Sequence, residues 1–183
     1  MTVFAVQQQK KKTNYSMKLV ARTRSTVHVS VGVLINDVNE ILIAQRPKGK
    51  PFPGFWEFPG GKIESQETPC QALLRELHEE LGIEIDRDHP LLLGNVEYAY
   101  PEFVFQAPVF MCTSWKRQPQ PLEGQRLVWV KPFDLLSYNL LPACKKICLL
   151  LQEKTDFIAR ERKRSIFQDS MNTIIKNAPN PTR

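Results

Sequence analysis

No run in this 183-residue chain is apolar for the roughly 20 residues that a membrane-spanning helix needs. The first residues carry no apolar stretch of the kind that forms a secretory signal. No internal repeat stands out, so nothing points to a solenoid or propeller. Cysteine is scarce. Cys70, Cys112, Cys144 and Cys148 form no C-x-x-C pair, and Cys144 and Cys148 have the i,i+4 spacing of a helix. Such thiols read as small buried apolar residues in a reducing compartment rather than as zinc ligands or a disulfide frame. His28, His78 and His89 are scattered without metal-ligand spacing. The length suits one compact domain with flanking tails, and the expected location is the cytoplasm.

Acidic residues are absent from one end. Residues 1–27 carry six Lys/Arg and no Asp or Glu, and residues 154–183 carry seven basic and three acidic residues. Of 25 basic and 19 acidic residues in all, 12 and 16 are left for the stretch 28–153, a net of −4. The overall charge of +6 thus belongs to the ends, and basic tails are commonly just solvated. On this reading nucleic acid is not the primary partner, a membrane is no partner, and a monomer is favoured. Three segments are expected: a basic, flexible N-terminal extension over 1–26, a domain over 27–158 and a basic C-terminal tail over 159–183. The acid-free N-terminal segment reads as disordered or as a leader, with a mitochondrial presequence or a translation start at Met17 as alternatives.

Between the tails, periodicity gives the elements. Val27, Val29, Val31 and Val33 alternate with His28, Ser30 and Gly32, the period of a half-buried strand. Asn36-Asp37-Val38-Asn39 is turn chemistry before a second strand, 40–45. A Pro/Gly/Lys loop follows over 46–55. Residues 91–100 and 103–115 read as a strand pair around Pro101-Glu102, and 127–130 as a further strand. A Pro-bounded stretch then leads to helical periodicity over 143–161. Strands flanking one helix, with a second at the end, predict a mixed α/β or α+β sandwich.

The first helix has marked ends. Thr68 is a suitable N-cap, Pro69 suits the first helical position, Gln71 completes a capping box, and Gly82 is a left-handed stop. At about 100° per residue from Ala72, the side chains of Cys70, Leu73, Leu74, Leu77 and Leu81 fall within roughly 100–200°. Glu79, Glu76 and Glu80 fall at roughly −20°, 40° and 80°. Three carboxylates therefore crowd one arc beside a packing stripe. They repel one another and sit in the last turns, where the helix dipole favours cations. A divalent cation offsets both penalties, and an oxygen-only set without His or Cys suits Mg²⁺ or Mn²⁺. A solvated acidic face paired with lysines is the alternative for such a helix taken alone.

The wider segment matches the Nudix signature G-x5-E-x7-R-E-U-x-E-E-x-G-U (U aliphatic) at Gly61, Glu67, Arg75, Glu76, Leu77, Glu79, Glu80, Gly82 and Ile83. A chance match in one window is on the order of 10⁻⁹. Over residues 27–150 the chain resembles the MutT-type branch of that family, with Ile41 to Glu64 similar to its strand–loop–strand entry. The resemblance implies an α/β/α sandwich around a mixed sheet and attack of water on the β-phosphorus of a nucleoside triphosphate. The products are a nucleoside monophosphate and pyrophosphate. It implies Mg²⁺, with Mn²⁺ able to substitute, held by Glu76, Glu79, Glu80, Glu123 and the Gly60 carbonyl; the four glutamates are also the catalytic residues. Arg46 and Phe58 would contact the base and sugar. Glu67 and Arg75 would brace loop against helix, while Gly61 and Gly82 serve backbone turns.

One position departs from the branch. Members that select 8-oxoguanine have Pro-Ala-Asn before the last helix, and pyrimidine-directed members tend to have Pro-Ala-Asp. Here the run is Pro142-Ala143-Cys144. A thiol cannot replace the paired donor and acceptor of an amide. The resemblance still makes 8-oxo-dGTP the first candidate substrate, with nucleotide-pool sanitation and DNA repair as the role. The alternatives are hydrolysis of ADP-ribose, dinucleoside polyphosphates or capped RNA, or a non-catalytic Nudix binding module. Such modules often lose the carboxylates that are all present here.

Overall fold

Alternation along β1 (Ser25–Leu34) holds only in its outer half; from Ser30 onward every residue is buried. Both faces of this strand are covered. The computed structural model describes residues 24–154. Most of the expected N-terminal extension, the C-terminal tail and the far end of the last helix lie outside those residues. The strand starts at Ser25, ahead of the expected Val27.

β1 lies inside a four-stranded mixed sheet, where β4 (Gly60–Lys62) flanks it antiparallel and β6 (Phe103–Cys112) parallel. β5 (Leu91–Ala99) pairs antiparallel with β6 and closes the order β4-β1-β6-β5. A second, antiparallel sheet is ordered β3-β2-β7, from β3 (Trp56–Glu57), β2 (Ile41–Gln45) and β7 (Arg126–Val130). The turn between β1 and β2 forms as expected: Asn36 Oδ1 accepts from the N–H groups of Val38 and Glu40, and Asn39 takes φ 61.

Each face of this layer has its own core. On one side Leu34, Leu42, Phe110 and Cys112 pack with Leu73, Leu77 and Leu81 of helix α1 (Pro69–Leu81). On the other, Val31, Val33, Ile41, Ile43 and Val109 pack with Cys144, Ile147 and Cys148 of helix α2, described over residues 142–154. Consecutive residues Val33 and Leu34 thus point into different cores, as a period of two requires. The result is the expected α/β/α sandwich, with its mixed sheet accompanied by a smaller antiparallel one. Three of the four thiols are buried and all four are free.

Helix α1 follows its sequence signals. Thr68 Oγ1 accepts from the Gln71 N–H, Gln71 Oε1 accepts from the Thr68 N–H, and Gly82 ends the helix at φ 68. Gly32 of β1 lets the helix approach, because a Cβ there would meet Leu73 Cδ1 at 3.2 Å and Leu77 Cδ1 at 3.3 Å. Leu73, Leu77 and Leu81 are each 0% exposed. Burying a leucine side chain contributes roughly 1.5–3 kcal/mol. Replacing Leu77 with Ala is therefore expected to cost about 3 kcal/mol in urea unfolding. A cost below about 1 kcal/mol would mean that α1 does not dock through this stripe.

Candidate active site

Docking α1 by its leucines fixes where its acids point. Glu76 lies against β4, so closely that a Cβ on Gly61 would fall 2.1 Å from its Cδ. Arg75 donates to Glu67 (2.7 and 3.1 Å), Glu76 (3.0 Å), Glu79 (3.2 Å) and the Lys62 carbonyl (3.0 Å). The Glu67–Arg75 brace expected between loop and helix is thus present, and the same guanidinium also gathers two of the three helix carboxylates.

Glu80 has no such cation. Its carboxylate accepts from the Gly60 N–H at 3.1 Å, in a glycine held at φ 140 whose Cβ would clash with the Ser30 carbonyl. Burial pushes the Glu80 carboxyl up to about 8; the Gly60 N–H opposes this, and the charges of Glu57, Glu123 and Glu76 add to it.

Glu123 comes from a separate loop that is stitched to the end of α1. The Leu122 N–H and Gln125 Nε2 both donate to the Glu80 carbonyl, at 3.1 and 2.8 Å, while Gln125 Oε1 accepts from the Glu123 N–H. The Glu123 carboxylate is ion-paired with Lys50, and this bond raises the lysine above its ordinary value. Among the described residues no three carboxylates, thiols or imidazoles converge on one point as they stand. Arg75 draws Glu76 and Glu79, and Lys50 draws Glu123. The donor set nonetheless fits a hard cation: oxygen only, with a carboxyl that burial, and then its neighbours' charge, disfavours ionising.

Beside the acids is a cavity of about 400 Å³, the size of a small-molecule site. Arg46, Phe58 and Cys144, singled out from the sequence, all line it, as does Gly60. Phe58 is also core, at 3% exposure. Cys144 is buried, which pushes its thiol up to about 12 and keeps it neutral. Two features escaped sequence reasoning. Glu57 lines the cavity and pairs with Arg46 at 2.6 Å; burial raises its carboxyl while Arg46 lowers it. Tyr100 also lines it and accepts from the Ala143 N–H at 3.4 Å. The acid between Trp56 and Phe58 was the available signal for Glu57; Tyr100 gave none. Trp56 and Trp129 pack on Tyr138 and Trp115, as expected of structural aromatics.

A carboxylate cluster with Glu80 as its buried member, a braced glycine turn and a cavity thus adjoin one another at the end of α1. The family model described as NUDIX domain matches residues 30–150, and the chain belongs to that family. It is similar to the 8-oxo-dGTP diphosphatase of Proteus vulgaris, 43% identical over 101 residues that cover 55% of this chain and 88% of that protein. It is also 38% identical to the CTP pyrophosphohydrolase of Escherichia coli over 62% of this chain and 82% of that one. Its fold superposes on the crystal structure of a MutT NUDIX hydrolase from Burkholderia pseudomallei with a TM-score of 0.62 and 26% identity, over 69% of this chain and 98% of the other. Within the family it is therefore a MutT-like hydrolase of phosphoric anhydride bonds. Among the described residues no helix is long and apolar enough to cross a membrane.

The Glu80 environment makes stability depend on pH. Between the ordinary 4.5 and the raised value of about 8, the folded chain holds a proton that the unfolded chain releases. Without metal, this group's contribution therefore falls as pH rises through that window. In chelator, the Tm of the wild type relative to Glu80→Gln is expected to drop from about pH 5 to about pH 8, and Mg²⁺ to raise it most at the upper end. A difference that stays flat across that range, or an equal Mg²⁺ gain at both ends, counts against Glu80 as the buried ligand.

Proposed function

We propose that this protein is a Mg²⁺-dependent pyrophosphohydrolase that cleaves nucleoside triphosphates to monophosphate and pyrophosphate, with 8-oxo-dGTP as first candidate. The observation that carries the reading is the buried, uncompensated Glu80 next to a nucleoside-sized cavity. On this reading Glu76, Glu79, Glu80, Glu123 and the Gly60 carbonyl hold the ion. When bound, a divalent ion supplies neutralisation of phosphate charge and activation of water. Water oxygen bonds to the β-phosphorus, the bond from that phosphorus to the oxygen shared with the α-phosphorus breaks, and the monophosphate leaves with that oxygen.

The protein's own contribution is position and electrostatics. Arg75, tied to Glu67 and Lys62, keeps Glu76 and Glu79 on one side of the turn. Gln125 fixes the Glu123 loop to α1. Phe58 and Arg46, which line the cavity, contact the base and sugar. The role that follows is sanitation of the nucleotide pool in the cytoplasm, by a domain over 27–158.

Cys144 favours a second reading for the base. It lines the cavity where the resemblance expects an amide, and a relative is named for CTP hydrolysis. A pyrimidine nucleotide is therefore the alternative substrate for the same chemistry.

A product-resolved panel tests both: purified protein with Mg²⁺, given 8-oxo-dGTP, the ordinary dNTPs and NTPs, ADP-ribose and a dinucleoside polyphosphate. Monophosphate plus pyrophosphate is expected from a triphosphate, with kcat reduced on the order of 10²-fold or more in Glu80→Gln. Turnover of ADP-ribose or the dinucleotide alone would discard the triphosphate reading, and no turnover at all would discard the enzyme. Cys144→Asn is expected to shift the 8-oxo-dGTP/dGTP preference by about ten-fold, as one bidentate base contact does. An unchanged ratio would show that this position does not read the base.

A further inference from the structure

One acid of the candidate set is engaged by a cation that the reaction as described does not use. Lys50 pairs with the Glu123 carboxylate across two loops. Its loop also supplies Arg46, Pro51 and Phe52 to the cavity, so the residue paired with Glu123 belongs to a segment that walls that cavity. The two side chains are 46% and 40% exposed. Ion pairs so exposed are weak and exchange readily.

Beside the pair lies a groove of about 520 Å³, lined by Gln45, Lys48, Gly54, Gly124 and Arg126 among others. Among the described residues neither Lys48 nor Arg126 makes an ion pair. Lys48 and Arg126 thus line the groove without an ion pair, Arg46 lines it while paired with Glu57, and Lys50 sits two positions from Lys48 in a weak pair, although the stretch 28–153 carries a net charge of −4. Clustered cations of this kind call for an anion of high charge density, and phosphate accepts charge-assisted hydrogen bonds from both Lys and Arg.

We propose that Lys50, flanked by Lys48 and Arg126, forms a subsite for the terminal phosphates of a nucleoside triphosphate, with its ammonium shared between two anions. Without metal it neutralises Glu123. When Glu123 turns to a divalent ion, Lys50 is released onto the distal phosphates. Metal loading and recognition of a triphosphate chain are thereby coupled through one side chain. The inference rests on the pyrophosphohydrolase reading and adds to it a preference for chain length.

The test uses the full chain and two binding readouts. Mn²⁺ binding is followed by electron paramagnetic resonance without nucleotide. Calorimetry in Mn²⁺ then compares the α,β-methylene triphosphates with the monophosphates of deoxyguanosine and deoxycytidine. Lys50→Gln is expected to tighten Mn²⁺ by about three-fold, since a competing exposed ion pair is gone. It is expected to weaken the triphosphate by about ten-fold and leave the monophosphate unchanged. Lys50→Arg should keep most of the triphosphate affinity. Lys48→Gln combined with Arg126→Gln should weaken the triphosphate without altering Mn²⁺. Mn²⁺ affinity that is unchanged or lower in Lys50→Gln overturns the sharing, and equal losses for mono- and triphosphate overturn the subsite. A wild type that prefers the triphosphate, with Lys50→Gln keeping that preference, sinks the subsite alone. A wild type without any preference for triphosphate, for either base, sinks the pyrophosphohydrolase reading with it.

Discussion

The docking of α1 sets the terms for everything around it. Leu73, Leu77 and Leu81 must all face the sheet, and this fixes the rotation of the helix about its axis. Glu76, Glu79 and Glu80 are then committed to the edge where β4 passes, in the turns where the helix dipole is negative. The local backbone is shaped accordingly. Gly61 has no Cβ because Glu76 occupies that space, and Gly60 turns its N–H onto Glu80. The raised Glu80 carboxyl is what remains after these measures.

The two cations beside the cluster differ in how firmly they are held. Arg75 has five hydrogen bonds on carboxylates and a carbonyl, all within its own helix and the adjoining loop and strand. Such a guanidinium is part of the scaffold, and its fork geometry suits several acceptors at once. Lys50 has one partner, on an exposed loop, through a side chain with many rotamers. The fixed cation therefore shapes the site and the loosely held one is free to exchange. Neither makes an ion pair with Glu80, so its buried carboxyl is the one left for an ion to satisfy.

Much of this was legible in the sequence because it is local. The capping box of Thr68 and Gln71, the stop at Gly82 and the leucine stripe all lie within one helix, and each appears where its chemistry requires. The alternation at Val27–Val33 located β1, but its inner half is buried on both faces, so Ser30 and Gly32 face packing rather than solvent. β3 and β4 have two and three residues, too few for any period to show. The 3₁₀ turn at Pro132–Ser137 appeared only as a Pro-bounded stretch. Lys50–Glu123 spans 73 positions and Arg46–Glu57 crosses a loop; such pairs depend on how loops fold over a finished sheet, which residue spacing does not encode.

The cavity shows where base selectivity has to come from. An amide at position 144 would offer a donor and an acceptor on the wall formed by the start of α2; the neutral thiol of Cys144 offers little of either. The charged side chains that line the same space are Arg46, Glu57 and Lys62. Of these, Arg46 and Glu57 are already joined. A base that hydrogen-bonds with either must enter that pair or break it, and burial has already weakened the preference of Glu57 for its charged form. A carboxyl accepts when charged and donates when neutral. With a thiol at position 144, the polar side chains that the cavity offers are thus ionisable ones rather than a neutral amide.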